Sequence, residues 1–273
     1  MNRSTAIGVG SVVVLVALSA YAVTTQAWKL LVVSWAAFAA MAVAAPFGAR
    51  SRTEHPEGLV WGYGLASGAM VTSAAVFLVP QAIAHHPQFG GFGIAFGILA
   101  GFGAHTVGHR FAHMDFPMDR TVTELSAHAI SAGAIIGIVY GNIDVGVGLG
   151  LAIVSHKGPA GYAAARRLSG KGQSVAPLLL PAAGLGIAAI VSSAISLPAT
   201  AAFRGIVFGF ASGVFLHVAM DFLPRCEIGS EIHDLLAVED EHAHAVLDRL
   251  RLHATVSTLV GGFAVFGAWL LVG

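Results

Sequence analysis

The sequence predicts an all-α polytopic membrane protein, and three observations carry that prediction. Of 273 residues, 56% are hydrophobic and 10% charged, whereas soluble chains carry about 25% charged residues. The apolar residues form long unalternating runs near the ~20 residues that a bilayer-crossing helix needs, so helices rather than barrel strands satisfy the backbone. The basic residues collect in alternate joins between the runs. Zero formal net charge leaves no basic face for nucleic acid, and Cys226, the single cysteine, excludes an intrachain disulfide and a thiolate cluster.

Nine spans follow, at approximately 6–24, 29–48, 59–82, 90–110, 122–141, 145–166, 174–197, 203–223 and 254–272. The first follows Arg3 and ends at Ala20–Ala22, so it reads either as a retained helix or as a cleaved signal peptide. Span 90–110 places His105, His109 and, beyond it, His113 at i, i+4, i+8, running into a loop with Asp115. Two histidines one turn apart can share a metal, and an interfacial polar stripe is the simpler alternative. Span 122–141 carries Glu124 and His128 one turn apart. Span 145–166 has the most unusual centre, with His156, Lys157, Gly158 and Pro159 among small apolar residues. A lysine at mid-membrane costs roughly 2.5 to 3.5 kcal/mol on insertion scales, so its position demands a reason. Span 203–223 carries His217 and Asp221 on one face, and residues 225–253 read as an amphipathic cytoplasmic insert.

With the N-terminus inside, the inner side receives Arg3, Arg50, Arg52, Arg110, Arg120, Arg166, Arg167, Lys171, Arg225, Arg249 and Arg251, and the outer side only Lys29 and Arg204. The expected location is therefore the cell membrane, multi-pass, with a cytoplasmic N-terminus and the C-terminus outside.

Two internal echoes stand out. "GLASGAMVTSAAVFLVP" from Gly64 resembles "GFASGVFLHVAMDFLP" from Gly209, and "HAISAG" from His128 resembles "HKGPAG" from His156. Each pair falls on spans of opposite direction, which is the signature of inverted transporter repeats with a midplane site.

On these residues the chain resembles the ZIP (Zrt/Irt-like protein) family of divalent metal transporters. The resemblance implies an eight-helix core at 29–272 in an inverted 3+2+3 arrangement, with 6–24 as an extra N-terminal helix. "HAISAG" and "HKGPAG" stand where the family carries paired metal-binding motifs on its fourth and fifth helices. His128, His156 and Met70 then stand at ligand positions, while the glutamates that bridge two metals in the family are Ala132 and Ala160. The Asn after the first histidine is Ala129, and a family Glu-Pro falls at Leu180–Pro181. The remaining ligands are neutral and comparatively soft, better suited to zinc or copper than to a hard cation.

Two readings of Lys157 stand side by side. Its ammonium replaces the second metal ion of a former binuclear pair, or it ties two helices together through a carboxylate; a proton relay is a third option. His217, Asp221 and Glu124 are secondary candidates to line the path, with His105 and His109 near the inner end. The expected function is transport of a divalent metal, zinc-like, through a mononuclear His-lined site, with no permanently bound cofactor. The alternatives are a non-transporting relative acting as sensor or scaffold, and a membrane-embedded zinc hydrolase. No His-Glu-x-x-His, Gly-x-Ser-x-Gly or phosphate-binding Gly-x-x-x-x-Gly-Lys motif is present, so the chain is not expected to be an enzyme or an ATPase. Expected partners are the metal ion and the lipid bilayer, with homodimerisation open and nucleic acid excluded.

Overall fold

The structure is a computed structural model that describes residues 3–51, 56–111, 118–143, 146, 148–198, 200–226 and 240–272. Among the described residues it is entirely helical. In chain order the helices are α1 (Arg3–Thr24), α2 (Trp28–Arg50), α3 (Glu57–Ser73), α4 (Val79–His85), α5 (Pro87–Phe111), α6 (Arg120–Asn142), α7 (Gly148–Gly170), α8 (Leu179–Ser192), α9 (Ala201–Asp221) and α10 (Asp240–Val272). Seven segments are long and apolar enough to cross a membrane: α1, α2, α3 with α4, α5, α6, α9 and α10. The chain is a multi-pass helical membrane protein.

Two of the nine expected spans depart from that standard. Helix α7 has the length, at 23 residues, but His156, Lys157, Arg166 and Arg167 dilute its apolarity. Helix α8 has 14 residues after a single 3-10 turn at Ala176–Leu178, because Pro177 tightens its start and the chain turns away at Ser193. The expected insert at 225–253 is not a separate element in its described part. From Asp240 the helix runs unbroken into the last span, and Val246, Leu247 and Leu250 pack with Val60, Cys226 and Ala254.

Proline placement explains two local features. Pro80 has no N–H and crowds the carbonyl four residues back. The chain meets this with one π turn at Ala74–Leu78 joining α3 to α4, in which the Val79 N–H donates to the Ala74 carbonyl five residues back. Pro159 was expected to break α7, yet the helix continues through it. The surroundings hold it: Gly158 and Gly161 lie against Ala40 and Met41 of α2, and Ser73 of α3 donates to the Ala152 carbonyl at 3.4 Å.

Four helix pairs make the framework: α2 with α7, α3 with α10, α5 with α9, and α6 with α8. Small residues let the backbones close up. Gly93 and Gly97 of α5 face Gly209 and Gly213 of α9, and a Cβ at Gly68 would overlap the Thr258 carbonyl oxygen of α10. Gly133, Gly137 and Gly141 of α6 lie on Leu185, Ala189 and Ser193 around α8. Helix α1 stands outside this framework, with Leu15 packed on Ala183 and Ile190 of α8 and Trp35 of α2 donating to Ser19 at 3.0 Å.

The described charged pairs that join separate helices sort to one end. Arg249 bonds Glu57 at 2.9 Å, Arg251 bonds the Cys226 carbonyl at 3.0 Å, and Lys171 bonds Asp119 at 3.2 Å. Arg166 lies over Gly58 at the same end, so Cys226 and Arg166 share a side as the sequence predicts. At the opposite end Asn142 of α6 clasps the Ile195 carbonyl and the Leu197 N–H at 2.7 Å each.

Candidate metal site

The centre of the molecule brings together side chains from three of these helices. Helix α6 contributes His128, α7 contributes His156 and Lys157, and α9 contributes Phe215. The two imidazoles have centroids 5.9 Å apart. Phe215 touches both, its ring 6.5 Å from His128 and edge-on to His156 at 5.4 Å. His156 is 1% exposed and its Nδ1 lies 3.1 Å from the Ala152 carbonyl. That contact fixes the ring and leaves Nε2 as the acting nitrogen. Nε2 of His156 and Nε2 of His128 are both buried with no hydrogen-bond partner among the described residues. A zinc–nitrogen bond is ~2.0–2.1 Å, so two imidazoles sharing one ion through Nε2 have centroids roughly 5 to 6.4 Å apart. The observed spacing falls within that range.

Met70 of α3 is fully buried in the same apolar cluster as Ala129, Ala132, Ile153 and Phe215. Helix α3 is tied to both sides of the site, by Ser67 donating to the Ala219 carbonyl of α9 at 2.8 Å and by Ser73 to α7. Ala132 and Ala160 are buried at 5% and 2% exposure, and no carboxylate occupies those positions.

Lys157 is fully buried, at 1% exposure, and its Nζ has no hydrogen-bond partner among the described residues. Its ammonium lies within electrostatic reach of both imidazoles. The carboxylate tie expected as one reading of Lys157 is therefore not formed within the described residues. At 4 Å and an effective dielectric of 20, two unit charges of like sign cost about 4 kcal/mol. A dication held beside this lysine meets that repulsion twice over.

The secondary candidates lie elsewhere. Glu124 is exposed and bonded to Arg120 at 2.6 Å, so it brings no negative charge to the imidazoles. His217 packs its ring against Gly101 of α5, and its Nε2 sits 3.3 Å from Asp221 Oδ2. That contact is a close approach without hydrogen-bonding geometry, on the side of α9 that meets α5. His105 and His109 belong to α5, but their side chains lie outside the described residues, as do His113 and Asp115 entirely. Among the described residues no three His, Cys, Asp or Glu side chains converge as a metal-binding group. Two imidazoles are what the centre offers, with the Met70 thioether buried in the same apolar cluster as Phe215. A groove of about 260 Å³ between α3, α7 and α10, lined by Leu65, Ala69, Ser155, Pro159 and Val265 among others, carries none of these histidines.

Sequence reasoning missed two aromatic features. Phe215 roofs the imidazoles, and nothing in the spacing of "GVFLH" separates it from an ordinary lipid-facing phenylalanine. His85, at the end of α4, stacks on Phe208 at 5.4 Å with its Nε2 buried. The Gly-x-x-x-Gly spacing that brings α9 close to its neighbours was the only available hint of either.

No protein-family model and no curated protein sequence matches this chain.

Proposed function

We propose that the chain is a ZIP-like transporter of metal cations, divalent and zinc-like by the family resemblance, carrying its cargo on His128 and His156. The observation that carries this reading is the neighbouring pair of imidazoles, each with a buried Nε2 that has no partner among the described residues, at a centroid spacing one ion can bridge. Buried ring nitrogens left without partners inside a bilayer are costly, and a bound cation satisfies both at once.

The helix pairing supports an eight-helix 3+2+3 core with an added N-terminal helix. Exchange α2 with α8, α3 with α9, α5 with α10 and α6 with α7. The α2–α7 pair then becomes α8–α6, and α3–α10 becomes α9–α5, so the four close pairs map onto each other. That is the relation an inverted repeat requires. The end rich in arginine is the cytoplasmic one by the positive-inside rule, with the C-terminus outside.

The absence of a third His, Cys, Asp or Glu among the described residues favours one rival, a non-transporting sensor or scaffold. Uptake into sealed proteoliposomes separates the two. Wild-type protein accumulates zinc or another transition-metal ion, and the His128→Ala, His156→Ala double variant does not. Flux of no metal from the wild type would leave the sensor reading in place.

A further inference from the structure

We infer that the preferred cargo of this site is a soft monovalent d10 cation, Cu(I), rather than a divalent ion. The inference rests on the reading of His128 and His156 as the cargo site and concerns which ion that site selects.

Three properties of the site point the same way. The first is ligand type. The side chains at hand are two neutral imidazoles, and the third ligand assigned here is the thioether of Met70, buried in the same apolar cluster as Phe215. The carboxylates whose side chains are described are held elsewhere: Glu57 by Arg249, Asp119 by Lys171, Glu124 by Arg120, Asp221 beside His217, and Asp248 by Arg251. Thioethers select Cu(I) over harder ions, whereas oxygen ligands favour the reverse. The second is ligand number. Zinc in proteins takes four ligands in a tetrahedron, and the centre supplies two nitrogens, with Met70 as the one assigned sulfur. Cu(I), with a filled d shell and one positive charge, is stable in linear or trigonal sites, so two or three ligands complete it. The third is charge. Lys157 is buried beside His156 with no anionic partner among the described residues. Its repulsion of a monovalent ion is half that of a dication at the same distance. Phe215, touching both imidazoles, presents a polarisable ring with no competing oxygen.

The lysine thus acts as an exclusion element. It makes the site hostile to dications, while the soft ligands retain a monovalent one. Zinc is disfavoured by ligand number and by charge together.

The test uses the full chain in detergent, with metal affinity read by chelator competition. Cu(I) is generated and held with ascorbate, Ag(I) serves as a probe that needs no reductant, and zinc is measured separately. Cu(I) and Ag(I) should bind at least about a hundredfold more tightly than zinc. Met70→Leu, a near-isosteric change that keeps the fold, should weaken Cu(I) and Ag(I) by about tenfold or more and leave zinc unchanged. Lys157→Met should raise zinc affinity by about tenfold or more with little effect on Ag(I). Size-exclusion profiles identify any variant that fails to fold, and Lys157→Gln then replaces Lys157→Met. Zinc binding equal to or tighter than Ag(I) in the wild type, or a Met70→Leu variant with undiminished Ag(I) affinity, overturns the preference for Cu(I) and leaves the cargo site standing. Binding of none of the three ions overturns both.

Discussion

Two interfaces of the central helices make an instructive contrast. Helix α3 packs along α7, with Gly62 close against Tyr162 and Ala163, and the α7 side chains behind it, His156 and Lys157, are shut away at 1% exposure. Helix α9 meets α6 at only a few residues. On α6, His128 is half-buried while its neighbours Ala127, Ile130 and Ser131 are exposed. Both interfaces use small residues on their helices, so composition does not cause the difference. What differs is closure: the site has a sealed wall on the α3–α7 side and an open seam on the α6–α9 side.

The largest expected effect concerns access. In a Cys226→Ala background, His128→Cys should react with a water-soluble maleimide on the order of a hundredfold faster than His156→Cys, since reactivity follows exposure. Equal rates would erase the distinction between the seam and the wall.

A second test asks what Lys157 costs. Removing a buried unpartnered ammonium by Lys157→Met should stabilise the protein in detergent by about 2–3 kcal/mol, in line with the penalty for a mid-membrane lysine. A fall in the melting midpoint would show that the lysine is a structural tie after all. A rise accompanied by lost metal selectivity would place it among residues kept for function at the expense of stability.

Packing distinguishes the interfaces next. Ala163 is fully buried beneath α3, so Ala163→Leu should overpack the wall and cost about 1–3 kcal/mol. Ser131→Leu on the open side of α6 should fall within about 0.5 kcal/mol of wild type. Thermal unfolding of both variants measures the contrast, and similar losses would contradict it.

The smallest effect lies at the start of α6, where the seam helix is anchored. Asp119 caps α6 by accepting the Thr121 N–H at 2.8 Å and pairs with Lys171. Burial alone would raise its carboxyl, but Thr121 and Lys171 outweigh burial and hold it below the ordinary aspartate value of 3.8. A depressed folded pKa means that the cap's contribution is complete above that ordinary value and is lost as pH falls through the lowered one. Asp119→Ala should therefore cost about 1 kcal/mol at neutral pH, a difference from wild type that shrinks as pH falls below the ordinary aspartate value of 3.8. A difference independent of pH would remove the carboxylate from the account.

The sequence made the helical membrane class legible because run length, low charge and basic asymmetry all act locally along the chain. The same local signals missed the ends of elements. The continuity of α7 through Pro159 depends on α2 and α3 lying against it, and the merger of residues 240–253 with the last span depends on Val60 and Cys226 receiving Leu247 and Leu250. At the site, His128 and His156 were legible from their echoing motifs, and the structure brings their rings together. His217, Asp221 and Glu124 were read from i,i+4 spacing alone. Spacing places residues on one helical face but does not say which neighbour that face meets: α5 takes His217, and Arg120 takes Glu124. Phe215 was invisible because an aromatic in a membrane helix carries no label for its direction.

The account stands most directly on the ion's coordination. X-ray absorption at the copper edge of protein loaded under ascorbate should show two imidazole nitrogens and one sulfur scatterer. The imidazole pattern should be lost in the His128→Ala, His156→Ala double variant and the sulfur alone in Met70→Leu. A spectrum of light atoms without imidazole or sulfur, or one unchanged by those substitutions, would contradict a cargo site at His128 and His156.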